Sequence, residues 1–295
     1  MSNSPPKQPL RPPSPDTHAE VIEADANFAV ENDRLDLQHH SCLLTLNNKL
    51  YLCAAGRDGK PFNRVLDAGC GTGIWAVDFA DEHPETQVIG VDLSPIQPSF
   101  VPPNVSFFVD DLEEPWAYND PFDFIYFRLM VGSITDWPRL LKQAYQNVRP
   151  GGYVELMDAT YPVDCDDETL TPENSVFEWN RLLCKAAASV GKPLDEAFRY
   201  KKHLIDAGFV NVTETRYKWP MNSWPKDPKY KELGSWTLEN IMEGLQGISL
   251  ALFTRVLGWT AEELEVFLVD VRKQFKNKSV HGYWHIVVVY GQKPE

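Results

Sequence analysis

The stretch Val65–Gly73 reads Val-Leu-Asp-Ala-Gly-Cys-Gly-Thr-Gly, and the next apolar run, Gln87-Val-Ile-Gly-Val-Asp92, ends in an acid. Arg64–Ala68 has the composition of a buried strand. Gly69, Gly71 and Gly73 then allow a sharp turn and close approach of the backbone to a ligand, because residues without Cβ leave room for both. An acid about twenty residues on is placed to accept hydrogen bonds from vicinal hydroxyls such as those of a ribose. Strand, glycine loop, helix, strand and acid together predict a doubly wound α/β sheet with an adenosine-type ligand at its crevice.

The spacing is not that of a dinucleotide site. A pyrophosphate-binding loop reads Gly-x-Gly-x-x-Gly, whereas here the third glycine comes one position early and Ile74 follows it. Asp67 also precedes the first glycine by two. A carboxylate there repels a pyrophosphate and attracts an ammonium. Asp-x-Gly-x-Gly-x-Gly resembles motif I of the class I methyltransferases that use S-adenosyl-L-methionine (SAM).

Further positions agree. Val105–Val109 is a third strand followed by Asp110-Asp111-Leu112, Phe122–Arg128 is a fourth, and Arg149-Pro-Gly-Gly-Tyr-Val-Glu-Leu-Met157 turns into a fifth. Helices are predicted over about 25–52, at Trp75–Glu82, Asp136–Val148, Glu173–Val190 and Asp195–Ala207, and over about 236–257 and 261–277. Thr260 with Glu263 makes a capping box for the last of these. Val210–Trp219 and His281–Tyr290 alternate as strands do. Strands alternating with helices predict a parallel sheet covered on both faces.

The chain has 295 residues and a net charge of −14. That balance disfavours sequence-independent nucleic-acid binding and anionic membrane surfaces. The five cysteines form no Cys-x-x-Cys pair, which points to a reducing compartment rather than secretion. No run has the length of a transmembrane helix. A Pro-rich polar tail over 1–22 is expected to be disordered, ahead of one domain over 23–295.

Longer motifs narrow the resemblance. Glu31-Asn-Asp-Arg34, Leu37-Gln-His-His40, Leu66–Pro84, Asp92-Leu-Ser-Pro-Ile-Gln-Pro98, Asp110-Asp-Leu-Glu-Glu-Pro-Trp116, Gly132-Ser-Ile-Thr-Asp-Trp137, Ser249–Trp259 and Tyr290-Gly-Gln-Lys-Pro look like those of the fungal LaeA-like methyltransferases, over about residues 26–295. The resemblance implies a seven-stranded sheet with an antiparallel last strand between the fifth and sixth. It also implies an N-terminal lid helix and a helical insertion at about 230–278. It implies SAM as cofactor, held by Asp67, Gly69, Cys70, Gly71, Gly73, Asp92, Leu93, Asp111, Leu112 and Arg128, with Asp111 and Leu112 meeting the adenine. The function expected is methylation of a small-molecule acceptor in fungal secondary metabolism. The alternative is a regulatory methyltransferase working with velvet-type protein partners in the nucleus. A cytoplasmic or nuclear location suits both.

Catalytic residues are hard to read in this chemistry, because methyl transfer from a sulfonium needs alignment more than acid or base. His39 and His40 are candidate bases near neutral pH. The Arg128 side chain is a candidate to bind a carboxylate or to pair with Glu31 or Asp136. Glu155 and Asp158, at the end of the fifth strand, are candidates to orient an acceptor. Trp75 either covers the adenosine or packs in the core. No Asn/Asp-Pro-Pro-Tyr follows the fourth strand, so base exocyclic amines and glutamine amides are not the expected acceptors. The acidic run Asp164, Asp166, Asp167 reads as a solvated loop, and no metal is expected.

Overall fold

The computed structural model describes residues 26–56 and 61–295, with side chains from Glu31 onward. The tail expected over 1–22 lies outside the described residues. Seven strands form one sheet: β1 (Arg64–Ala68), β2 (Gln87–Asp92), β3 (Val105–Val109), β4 (Phe122–Arg128), β5 (Val148–Asp164), β6 (Val210–Pro220) and β7 (Tyr283–Gln292). Their order across the sheet is β3-β2-β1-β4-β5-β7-β6. β7 runs antiparallel to both of its neighbours, and the other pairings are parallel. This is the class I methyltransferase arrangement that the family resemblance implies.

Period-two alternation sends side chains to two cores. Val65, Phe124, Tyr126, Ile286 and Val288 join one hydrophobic cluster. Leu66, Ala68, Ile125, Phe127, Val287 and Val289 join the other. The first core is covered by α1 (Ala26–Thr45), α2 (Ile74–Glu82), α4 (Ser175–Ser189), α6 (Pro228–Ala251) and α7 (Ala261–Phe275). The second is covered by α3 (Trp137–Asn147) and α5 (Tyr200–Ala207).

Element ends follow local chemistry. α1 stops at Thr45 rather than running to Leu52, because Asn47 and Asn48 take left-handed backbone angles of 55° and 60°. Asparagine tolerates that region and ends helices there. α6 begins well before Trp236. Asp227 accepts the Tyr230 N–H and Pro228 opens the first turn, a start signal outweighed in the sequence by the weak apolar pattern of Lys-Tyr-Lys. Thr260 and Glu263 form the expected reciprocal cap on α7. Trp75 is a core residue: its indole N–H donates to the Leu50 carbonyl at 2.9 Å and its ring stacks on Tyr126 at 4.3 Å.

The glycine loop is shaped by the protein's own packing as much as by any ligand. Gly73 caps α2 at φ +81°, and a Cβ there would lie 2.2 Å from the Phe107 ring. At Gly69 a Cβ would meet the Met130 sulfur at 2.1 Å. Both glycines therefore make room for protein side chains. Gly73→Ala combines left-handed strain with overpacking and is expected to destabilise by about 2–5 kcal/mol. The measurement is a shift in urea midpoint at unchanged slope.

Candidate functional site

β1 lies between β2 and β4, so the chain leaves it beside strands whose connections run to opposite sides. Ligands bind in the crevice that such a reversal opens at the carboxyl ends of the strands. A cavity of about 250 Å³ occupies it, lined by the glycine loop (Gly69, Cys70, Gly71, Thr72, Ile74), by Asp92, Ser94 and Ile96 after β2, and by Arg128, Leu129, Met130 and Ser133 after β4. Glu31, Leu35 and Gln38 of α1 form its roof. They fall at i, i+4 and i+7, one face of a helix.

A second cavity, of about 330 Å³, shares Leu35, Gln38 and Leu129 with the first. Its remaining wall is mostly apolar and aromatic. Tyr161 comes from β5, Leu183 from α4, Trp219 from β6, Ile241 and Ile248 from α6, and Trp284 from β7. Arg34, Thr237 and Asn240 supply the polar groups. Arg34 is itself held, donating to both oxygens of Glu31 and to Asn240 at 3.1 Å. Leu252, at the start of a π-helical turn that extends α6, completes the wall.

Asp92 closes the glycine loop. One carboxylate oxygen accepts the Gly71 N–H at 2.8 Å and the other accepts the Ser94 N–H at 2.9 Å. Each oxygen keeps a further lone pair. Asp67 is almost wholly buried, and burial pushes its carboxyl up to about 7 even though the nearby Arg128 charge opposes the shift. Its Oδ2 has no hydrogen-bond partner in the protein, an orphaned acceptor that an ammonium would satisfy. The Cys70 thiol is pushed well up, by burial first and then by Asp67 and Asp92, which disfavours the nucleophilic thiolate form.

The structure brings Gly69, Cys70, Gly71, Asp92 and Arg128 into one wall and leaves Asp67, Gly73, Leu93, Asp111 and Leu112 outside it. Leu93 points to solvent, and the neighbouring Ser94 and Ile96 line the cavity instead. Asp111 is exposed and accepts the Glu113 N–H at 2.9 Å. The Leu112 side chain is buried in the second core, and its carbonyl accepts the Trp116 indole N–H. Leu35, Leu129, Met130 and Ser133 were not singled out in the sequence. The helical spacing of 31, 35 and 38 was the available signal for the roof.

Neither candidate base lines a cavity. His39 is buried, with Nε2 2.9 Å from Asp78 and Nδ1 2.7 Å from the Arg128 guanidinium. A guanidinium only donates, so Nδ1 must accept and Nε2 must carry the proton. The ring is therefore neutral with both nitrogens committed. His40 is exposed, edge-on to Trp236 at 5.0 Å, and lines neither cavity. Glu155 is fully buried and accepts the Leu52 N–H at 2.8 Å and the Cys53 N–H at 2.6 Å. It anchors the segment after α1. Asp158 accepts the Tyr200 hydroxyl at 2.8 Å and the Ala159 N–H at 2.9 Å. Arg128 meets neither Glu31, which holds Arg34, nor Asp136, which caps α3. The acidic run after β5 is paired: Asp164 with His285, Asp166 with Lys218 and Asp167 with His281.

Burial and the Arg128 charge lower the His39 pKa despite the raising pull of Asp78. A lowered folded-state value means full stability above the unfolded histidine range and a loss as pH falls through the folded value. Melting temperature is therefore expected to fall between pH 7 and pH 5 more steeply for the wild type than for His39→Gln. Parallel curves would show that His39 contributes nothing to the dependence.

The family model described as a methyltransferase domain matches residues 37–214. The chain is 43% identical to methyltransferase pytC of Aspergillus terreus over 265 residues, covering 90% of this chain and 81% of that protein. It is 34% identical to secondary metabolism regulator LAE1 of Cochliobolus heterostrophus, covering 90% and 88%. Among solved structures, the Haemonchus contortus phosphoethanolamine N-methyltransferase 2 aligns with a TM-score of 0.52 at 18% identity, covering 92% of this chain and 58% of that one. That last likeness shows the fold alone. No helix among the described residues is long and apolar enough to cross a membrane. A motif I loop at a sheet reversal, the matched domain and these relatives place the chain in the SAM-dependent methyltransferase family, in the branch shared by fungal secondary-metabolism methyltransferases and LaeA-type regulators.

Proposed function

We propose that the chain methylates a small, largely apolar molecule held in the 330 Å³ cavity, with SAM in the crevice cavity beside it. The supporting observation is the shared wall: Leu35, Gln38 and Leu129 line both spaces, so an acceptor in one abuts a cofactor in the other. When bound, SAM supplies an electrophilic methyl that leaves a neutral thioether. The protein's part is alignment. Asp92 fits the ribose hydroxyls and Asp67 the methionine ammonium. Adenine contacts for Asp111 and Leu112 remain part of this reading. α1 serves as lid, Trp219, Trp284 and Tyr161 offer flat surfaces to a planar acceptor, and Gln38 is the polar group at the junction. With His39, Glu155 and Asp158 committed elsewhere, proximity rather than a dedicated base carries the reaction.

A second reading is a regulatory methyltransferase acting through a velvet-type protein partner. It is favoured by the 34% identity to a secondary metabolism regulator. The outer face of α7 also presents Val266 and Val269 to solvent, 74% and 61% exposed.

Two experiments test the proposal. Asp92→Ala is expected to weaken SAM binding by about 1.5–3 kcal/mol, the worth of hydrogen bonds to a charged group, in a protein that stays folded; isothermal titration and a melting curve measure both. Ile241→Trp, which fills the larger cavity, is expected to leave SAM affinity within about twofold and abolish methyl incorporation. The assay incubates protein and methyl-labelled SAM with a filamentous-fungal extract split into solvent-extractable and protein fractions. Label in the solvent fraction that Ile241→Trp removes supports the small-molecule reading; label confined to protein favours the regulatory one.

A further inference from the structure

Arg128 is the single cationic side chain lining the crevice cavity among the described residues, and two carboxylates, Glu31 and Asp92, line it as well. Those two are occupied with Arg34 and with backbone N–H groups. No carboxylate stands within 4.0 Å of the Arg128 guanidinium among the described residues, a state it shares with Arg64, Arg139 and Arg255, none of which lines the crevice, whereas arginines 34, 149, 181, 199, 216 and 272 each have one. The nearby Asp67 is not within that distance. A buried or half-buried cation without a counter-ion is costly, and here it is kept in place from behind. His39 accepts from Arg128 at 2.7 Å, and Asp78 of α2 fixes the imidazole at 2.9 Å.

The sheet register locates this cation relative to Asp92. Ala68 of β1 pairs with Val91 of β2 and with Phe127 of β4. Asp92 and Arg128 are the next residues on their strands, so they stand level on either side of the glycine loop. Two strand spacings separate them, about 10 Å. Adenosine with an amino-acid tail has its ribose and its carboxylate at two ends, and this wall offers an acceptor for hydroxyls at one end and a cation at the other.

We infer that Arg128 receives the α-carboxylate of the methionine half of SAM, and that His39, steadied by Asp78, is the positioning residue for that guanidinium. The inference rests on the SAM reading above. Arg128 discriminates for the carboxylate, and His39 keeps the fork aimed by occupying one of its N–H groups, so that fewer rotamers are lost on binding.

Isothermal titration with S-adenosylhomocysteine, its decarboxylated analogue S-adenosyl-3-thiopropylamine, and 5′-methylthioadenosine tests it. For the wild type, removing the carboxylate is expected to weaken binding about tenfold to a hundredfold. Arg128→Met should lose that discrimination and bind the first two ligands alike. His39→Ala should reduce it, and His39→Asn, whose amide oxygen can replace Nδ1, should recover part of it. A merely structural histidine would shift all three affinities together. Equal wild-type affinity for the carboxylated and decarboxylated ligands would overturn the inference while leaving the cofactor reading intact, and that comparison needs no variant to fold. Full discrimination in a folded Arg128→Met protein would also overturn it. Failure of all three ligands to bind would overturn the cofactor reading itself, and the inference with it.

Discussion

Everything at the carboxyl edge of this sheet depends on β1 having β2 on one side and β4 on the other. The constraint is topological before it is chemical. A parallel strand must be left by a crossover, and the crossovers after β1 and β4 cannot both cover the same crevice. The glycine loop, the residues after β2 and the residues after β4 are thus forced to the same edge. Hydrogen bonds then hold them: Asp92 to Gly71 and Ser94, Gln97 to the Gly71 carbonyl, and the Leu129 N–H to the Met157 carbonyl.

α1 closes that edge from above and is tied to the glycine loop, α2, β4 and β6. Asp36 accepts the Thr72 hydroxyl at 2.7 Å, His39 bridges Asp78 and Arg128, and Thr45 accepts the Trp219 indole N–H at 2.6 Å. The helix is only weakly amphipathic as a sequence, because polar residues on its inner face have partners or cavities instead of solvent. Buried polar groups of this kind are stable only when satisfied, and here the satisfaction comes from elements far away in the chain.

The sheet was legible because its signals are local. Period-two apolar runs, three glycines and a Pro-Gly-Gly turn mark strands and turns without reference to anything distant. The order of strands β5, β7 and β6 came with the family resemblance. The crevice wall was legible where the strand ends write it, at Gly69–Gly71, Asp92 and Arg128. The roles of Glu155 and His39 were not, since each depends on a partner that sequence spacing does not reveal: Leu52 and Cys53 for one, Asp78 and Arg128 for the other. Titratable residues at strand ends look alike in a sequence whether they face a ligand or a backbone. Leu35 and Leu129 were missed for a related reason, because an apolar residue on a helix face reads as core until a cavity is found beside it.

The shared wall between the two cavities has a consequence for how such a protein diversifies. A change at Leu35, Gln38 or Leu129 alters the shape of both cavities at once. Ile241, Ile248 and Trp284 line the larger cavity alone, and two of them sit on α6, outside the strands that build the crevice. Substitutions there can accumulate without disturbing the common chemistry. If the larger cavity takes the acceptor as proposed, novelty in what is methylated is most accessible through the segment between β6 and β7, a module that the sheet carries but does not need for its own register.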